Sequence, residues 1–269
     1  MSEPKPRQTV LITGAAKRIG RALALDFANR GWDVAIHFNS SSDDAEALAT
    51  EIRSIGRRAI AQSCNLANTE AVQNLIPDCA SELGPVTCLI NNASEFRFDS
   101  IDDLTSESWN LHLDINLKAP VFLAKSMAQN LPAGAQGHVI NIIDQRVWNL
   151  TPEFFSYTVS KAGLWSATRM LAQALAPRVR VNAIGPGPVL KSIHQTEEEF
   201  EREVQSTLLE RGTTPDEIAH AIRFILDAPA MTGQMLALDG GQHLSWSAAS
   251  QPASVSTAPL PTITNRKPG

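Results

Sequence analysis

Tyrosine occurs once in this chain, at position 157 of 269 residues. Cysteine is almost as scarce. Cys64, Cys79 and Cys88 are odd in number and none shows C-x-x-C spacing, which excludes a disulfide framework and leaves buried thiols in a reducing compartment. The six histidines are scattered without the spacing of a ligand set, so no metal site is expected. Positive charge is short too, with 23 Lys and Arg against 28 Asp and Glu. No basic stripe forms, and a nucleic-acid partner is not expected. No apolar run is long enough to span a bilayer, and the opening MSEPKPRQ lacks the apolar stretch of a signal peptide. A soluble cytoplasmic protein with no membrane partner is the expectation.

What is present is material for one large α/β core, at 43% hydrophobic residues. Short apolar runs alternate with amphipathic stretches. Thr9 to Thr13, Trp32 to Phe38, Arg58 to Ser63, Val86 to Ile90, His138 to Ile143, Arg178 to Ala183 and Gln234 to Leu238 read as strands. Between them lie helices over Arg18 to Arg30, Ser42 or Asp43 to about Ile55, Thr69 to Leu83 (interrupted near Pro77), Glu107 to Asn130, Phe155 to Ala176 and Asp216 to Asp227. Glu197 to Glu203 suits a short helix in the polar stretch from Pro188 to Thr214. This alternation predicts a doubly wound parallel sheet of seven strands, helices on both faces, in a single domain over 8–244. Residues 1–7 are expected to be flexible. Residues 245–269, rich in Ser, Ala, Pro and Thr, are expected to be disordered or docked on a neighbour.

The first strand runs into Gly14-Ala15-Ala16-Lys17-Arg18-Ile19-Gly20. A strand, a tight glycine turn and a helix N-terminus suit a dinucleotide pyrophosphate, because backbone N–H groups and the helix dipole favour the anion. An NAD site places an acid at the end of the second strand to hold the ribose. Here that end reads His37-Phe38-Asn39-Ser40-Ser41. Hydroxyl and amide donors, with Lys17 or Arg18 across the turn, suit a 2′-phosphate, which points to NADP. The serines equally suit capping of the next helix.

The stretch Thr151 to Gly163, TPEFFSYTVSKAG, carries Tyr157 and Lys161. Four residues apart on a helix, phenol and ammonium share a face. An isolated tyrosine has a pKa near ~10. A cation beside it favours the phenolate and makes a usable general acid for a group that gains a hydride.

Four motifs in this order resemble the short-chain dehydrogenase/reductase family: Thr13-Gly14 with Gly20, Asn91-Asn92-Ala93 after the fourth strand, Tyr157 with Lys161, and Pro186-Gly187 after the sixth. The resemblance covers Gln8 to Gly241. It implies a Rossmann-type fold, a nicotinamide cofactor, Tyr157 as general acid/base, Lys161 on the nicotinamide ribose lowering the tyrosine pKa, and Asn116 holding a water of a proton relay. It also implies a homotetramer built through the helices around Glu107 to Asn130 and Phe155 to Ala176.

Two departures narrow the resemblance. Arg18 replaces the family's middle glycine, and Asp144 replaces the serine 13 positions before the tyrosine. Both resemble the pteridine reductase branch, as does Asn91-Asn92-Ala93-Ser94 followed by Phe96. In that branch the pterin lies between nicotinamide and the Phe ring, the Arg sits near phosphates and substrate, and the Asp works with the Tyr. The chemistry agrees. A serine donates to a developing oxyanion, whereas an ionised carboxylate repels it and suits a nitrogen-rich ring that offers N–H donors. Phe96 supplies a stacking face. Ser94 joins the expected substrate set, and Trp148 and Leu150 are either pocket walls or, for Trp148, core.

The expected cofactor set is Gly14, Lys17, Arg18, Ile19, His37, Asn39, Ser40, Ser41, Asn65, Leu66, Asn92, Ala93, Ser94, Tyr157, Lys161, Pro186, Gly187 and Val189. Three of its positions depart from the branch. Ser40 stands for an arginine, Asn65 for an adenine-contacting Asp, and Pro188-Val189-Leu190 lacks the usual threonine. Residues 188–214 are expected to form the substrate lid. The leading expectation is NADPH-dependent hydride transfer to a C=N bond of a dihydropterin or dihydrofolate. A reductase of 3-oxoacyl, ketone or sugar carbonyls is the second reading, and a non-catalytic NADP-binding regulator the third. The intact Tyr157, Lys161 and Asn116 speak against that regulator.

Overall fold

A computed structural model describes residues 8–192 and 195–245. Seven strands form one parallel sheet in the order β3-β2-β1-β4-β5-β6-β7. They are β1 (Thr9–Ile12), β2 (Asp33–Phe38), β3 (Ala59–Ser63), β4 (Val86–Asn91), β5 (Gly137–Ile142), β6 (Val179–Pro186) and β7 (Met235–Leu238). The helices are α1 (Arg18–Asn29), α2 (Ser42–Ser54), α3 (Thr69–Leu83), α4 (Ser106–Leu113), α5 (Ala119–Asn130), α6 (Phe155–Leu175), α7 (Glu197–Gln205) and α8 (Pro215–Asp227). The expected seven-stranded, single-domain α/β architecture is therefore observed. The calls on residues 1–7 and on the tail from Trp246 onward lie outside the described residues.

Side chains alternate along a strand, and the sheet uses both faces. In β1, Val10 and Ile12 enter one core with Leu23, Phe27 and Ile222, while Leu11 enters the other with Leu75, Leu123 and Met127. Strands buried on both sides are why the runs read as continuous apolar segments. Asn91 and Asn141 are exceptions. Asn91 donates to Asn141, and Asn141 donates to Thr168 of α6, at 2.8 Å each. This chain of amides pins α6 across β4 and β5. The strand order reverses between β1 and β4, and the crevice outside their carboxyl ends is where such folds take ligands.

Two expectations about helices are corrected. Pro77 does not interrupt α3, which runs unbroken from Thr69 to Leu83. The Gln73 carbonyl that loses its helical donor to the proline instead accepts the Ser126 hydroxyl of α5, at 3.4 Å. The single helix from Glu107 to Asn130 is instead α4 and α5 separated by a π turn over Asp114–Lys118. Such single-turn insertions are frequent at functional sites. This one turns the Asn116 side chain inward, where it is buried. Pro120 lacks the N–H that an α-helix would send to the Asn116 carbonyl.

Candidate active site

Strand β5 ends at Ile142, and two residues later Asp144 opens a short 3₁₀ turn. Its Oδ1 accepts the Arg146 N–H at 2.8 Å, a local cap that fixes the carboxylate. Its Oδ2 accepts the Tyr157 hydroxyl at 2.8 Å. Tyr157 and Lys161 sit in the first two turns of α6, both buried. The Lys161 ammonium donates to the Ile142 carbonyl at 2.9 Å and lies 5.7 Å from the centre of the Tyr157 ring. Asn116 is joined to this cluster through Ser160, at 3.1 Å, and Ser160 in turn donates to the Tyr157 carbonyl. Asn116 also bonds Glu95, accepting the N–H at 2.8 Å and donating to the carbonyl at 2.9 Å. The structure thus brings together the four residues expected to carry chemistry.

The electrostatics differ from the expectation at Tyr157. A lowered phenol was expected from Lys161. Burial, with the Asp144 carboxylate as charge and hydrogen-bond acceptor, instead pushes Tyr157 well above its usual range. Burial also raises Asp144, against the pull of the Arg146 N–H and charge, Tyr157 and Lys161. Burial lowers Lys161 to about 8, opposed by the Asp144 charge. The resting arrangement is a phenol that keeps its proton beside a carboxyl group of raised affinity.

Phe96, on the loop after β4, stands edge-on to Tyr157 with ring centres 4.7 Å apart. One of its faces is stacked on Phe154 at 4.5 Å and 8°. The Arg146 guanidinium covers the Phe154 ring, 4.9 Å from its centre. The Ser94 hydroxyl donates to Asn116 at 3.3 Å. Trp148 is 42% exposed and meets the rings of Trp165 and His243, which places it on the rim rather than in the core; Leu150 is exposed beside it in sequence. Phe154 and Arg146 were missed by sequence reasoning. The signal available for Phe154 was its place three residues before the tyrosine.

The glycine turn is held from behind. Asn92 donates to the carbonyls of Thr13 and Gly14, at 2.8 and 3.1 Å, and the Thr13 hydroxyl accepts the N–H groups of Asn92 and Ala93. Gly14 has φ +61°, and a Cβ on Gly20 would approach the Ala15 Cα to 2.8 Å, so both glycines are required for this close packing. Arg18 has a left-handed backbone, with φ 55°, at a cost of roughly 1–2 kcal/mol. Its guanidinium donates to the carbonyls of Leu190 and Lys191 at 2.9 and 2.8 Å, tying the turn to the loop after β6. Ile19, Leu66 and Val189 turn apolar side chains toward the core. Gly187 follows the end of β6, and its N–H donates to Leu238.

His37 does not reach a ligand as expected. It is buried, its Nδ1 accepts the Gly14 N–H at 3.0 Å, and its Nε2 donates to the Cys64 carbonyl at 2.9 Å. Burial lowers it to about 4, so it offers no positive charge to a phosphate. Asn39, Ser40 and Ser41, by contrast, have side chains without a hydrogen bond among the described residues. Ser41 is the N-cap of α2 but makes no side-chain cap bond. Lys17 pairs with Asp44 at 2.8 Å, both about half exposed. Such exposed pairs are worth about 0–1 kcal/mol and yield easily to a phosphate. Asn65 accepts the Ala67 N–H through Oδ1, which leaves its amide donors outward. A tight glycine turn, unpartnered donors past β2 and no acid at that strand end together fit a dinucleotide carrying a 2′-phosphate.

Comparison with known proteins gives the same family. The short chain dehydrogenase family model matches residues 8–202. A 3-oxoacyl-[acyl-carrier-protein] reductase from Synechocystis sp. is 33% identical over 238 residues, 87% of this chain and 96% of that protein. Among solved structures, FolM alternative dihydrofolate reductase 1 from Brucella suis, in complex with NADP, is 47% identical with a TM-score of 0.87, covering 90% of this chain and 97% of that one. The Brucella canis counterpart, also with NADP, is 46% identical with a TM-score of 0.85, covering 90% and 96%. This chain belongs to the short-chain dehydrogenase family and is an oxidoreductase of that family.

Proposed function

We propose that this NADP-dependent oxidoreductase reduces a C=N bond of a dihydropterin or dihydrofolate. The observation that carries the reading is the 2.8 Å hydrogen bond from Tyr157 to a half-buried Asp144, with the Phe96 ring against the same phenol. A carboxylate there opposes an oxyanion but receives the N–H and NH₂ donors of a pterin. Phe96 and Ser94 would line the substrate side, with the Phe96 ring stacking a flat heterocycle. The similarity to the two Brucella dihydrofolate reductases supports the same reading.

Gly14, Lys17 and Arg18 would hold the cofactor phosphates, Ser40, Ser41 and Asn39 the 2′-phosphate, Asn65 and Leu66 the adenine side, and Lys161 with Tyr157 the nicotinamide ribose. NADPH, when bound, supplies the hydride to the imine carbon. Tyr157 gives its proton to the imine nitrogen as that nitrogen gains its electron pair. Asp144 holds the substrate's donors, and the phenolate regains its proton from solvent. Lys161 stabilises the phenolate in the interval, and Asn116 holds the water that connects it to solvent. Residues 188–192 and 195–214 would close over the substrate. The active form is a cytoplasmic homotetramer, which gel filtration with light scattering tests.

Reduction of a 3-oxoacyl carbonyl is the second reading, favoured by the Synechocystis relative. NADPH oxidation, followed by absorbance with dihydrobiopterin, dihydrofolate and a 3-oxoacyl thioester, separates the two. Turnover of the pterins is expected. Turnover of the thioester alone overturns the proposal.

A further inference from the structure

The first turn of α6 leaves N–H groups without helical partners, and its own N-cap residue, Phe154, gives no side-chain cap. The partners come from 56 and 57 residues upstream. Asp99 accepts the Phe155 N–H with its main-chain carbonyl at 3.1 Å and the Ser156 N–H with Oδ1 at 3.0 Å. The Ser156 hydroxyl donates to Asp99 Oδ2 and accepts from His112 Nδ1, the latter at 2.6 Å. His112 Nε2 accepts the Arg97 N–H at 3.1 Å. Because Nε2 receives a backbone donor, the imidazole proton sits on Nδ1. The chain therefore runs one way, from Arg97 through His112 and Ser156 to the carboxylate.

Asp99, His112 and Ser156 are all buried, at 2%, 0% and 0% exposure. Burying a carboxylate without a cation in contact is costly unless hydrogen bonds satisfy it. The arrangement is unlike a hydrolytic triad. His112 donates to the serine rather than accepting from it, and the serine is fully buried. What the network joins is informative. Arg97 and Asp99 belong to the loop that carries Ser94 and Phe96. His112 belongs to α4, and its ring lies 6.1 Å from that of Tyr157. Ser156 is the residue before Tyr157.

We propose that Asp99, Ser156 and His112 form a positioning network that holds the Tyr157 phenol and the Phe96 loop in mutual register. Helix α6 alone sets the height of Tyr157 but not its placement against a loop from the far side of the crevice. Asp99 supplies that by capping α6 from the loop itself. Misplacement of a reacting group by about 1 Å costs on the order of 100-fold in rate. This inference rests on Tyr157 as the proton donor, not on the identity of the substrate.

Since Tyr157 is the only tyrosine, a chain labelled with carbon-13 at tyrosine Cζ gives one resonance that reports on this phenol without any substrate. The test variants are Ser156→Ala, Asp99→Asn and the double variant. Ser156→Ala leaves His112 Nδ1 facing Asp99 Oδ2 across 3.9 Å. The expected result is a shifted, broadened resonance in each folded variant. With whichever of the dihydropterin or 3-oxoacyl substrates the native chain turns over, kcat falls about 10- to 100-fold. The NADPH dissociation constant stays within about twofold, and the double variant loses no more than the worse single one. A native resonance with native kcat in Ser156→Ala overturns the proposal, as does NADPH affinity that falls in step with kcat. If Asp99→Asn does not fold, Ser156→Ala carries the test alone. Loss of the pterin reading appears separately, as a native chain that prefers the 3-oxoacyl substrate, and the resonance still decides.

Discussion

The two halves of the crevice at the carboxyl end of the sheet are built differently. Around β5 and α6, the polar groups of Tyr157, Lys161 and Asn116 are buried and that of Asp144 is half-buried, and all are hydrogen-bonded to named partners. Past β2, Asn39 and Ser40 are exposed and make no side-chain bonds among the described residues, and Lys17 is held only by a half-exposed ion pair. The first half is organised before anything binds, as a site that moves a proton must be. The second half presents donors that a phosphate can organise. The Gly14 to Gly20 turn joins them, and Arg18 links that turn to the loop after β6.

Breaking the buried half should have the largest effect. Tyr157→Phe removes the proton donor and should lower kcat by about 10²- to 10⁴-fold while NADPH still binds, read by stopped-flow turnover and by cofactor fluorescence. Gly20→Ala attacks the joint between the halves. The new methyl meets the Ala15 backbone at 2.8 Å, and the expected outcome is a loss of about 1–3 kcal/mol in thermal unfolding together with weaker NADPH binding.

Ser40→Asp probes the exposed half alone. A carboxylate past β2 repels a 2′-phosphate, so the NADPH dissociation constant should rise about tenfold, or ~1.4 kcal/mol, with NADH little changed. An equal effect on both cofactors would show that Ser40 does not face the 2′-phosphate.

The smallest effect is one of pH. Lys161 is lowered from 10.5 to about 8 in the folded chain. Its charge is present below about 8, so the reduction rate should fall as pH rises through that value. Between about 8 and 10.5 the unfolded chain binds the proton that the folded chain has released, so this group makes stability rise with pH in that window. Activity and Tm should therefore move in opposite directions there, before Tyr157 reverses the trend at higher pH.

The legible part of this protein was the part written in local spacing. Strand runs such as Val86 to Ile90 and the pairing of Tyr157 with Lys161 depend on residues within a turn or two, and both appear in the structure. The replacement of a serine by Asp144 was also readable, because a motif fixes its distance from the tyrosine. What stayed hidden depends on contacts distant in sequence. The π turn holding Asn116 looks like ordinary helix by periodicity. His37 was given to the ligand because nothing local shows that the Gly14 N–H and the Cys64 carbonyl converge on it. Asp99 and His112 lie 57 and 44 residues from Ser156, and no spacing rule connects them. The raised Tyr157 likewise follows from burial, which the Tyr-Lys spacing does not encode.

The most direct test of the pterin assignment is the ratio of kcat/KM for dihydrobiopterin to that for a 3-oxoacyl thioester, measured in the native chain and in Asp144→Ser. A ratio that favours the pterin in the native chain and falls at least about tenfold in the variant, some 1.4 kcal/mol, is predicted. A ratio unchanged by the substitution would contradict the role given to Asp144, and with it the reading of this site as one for a nitrogen heterocycle.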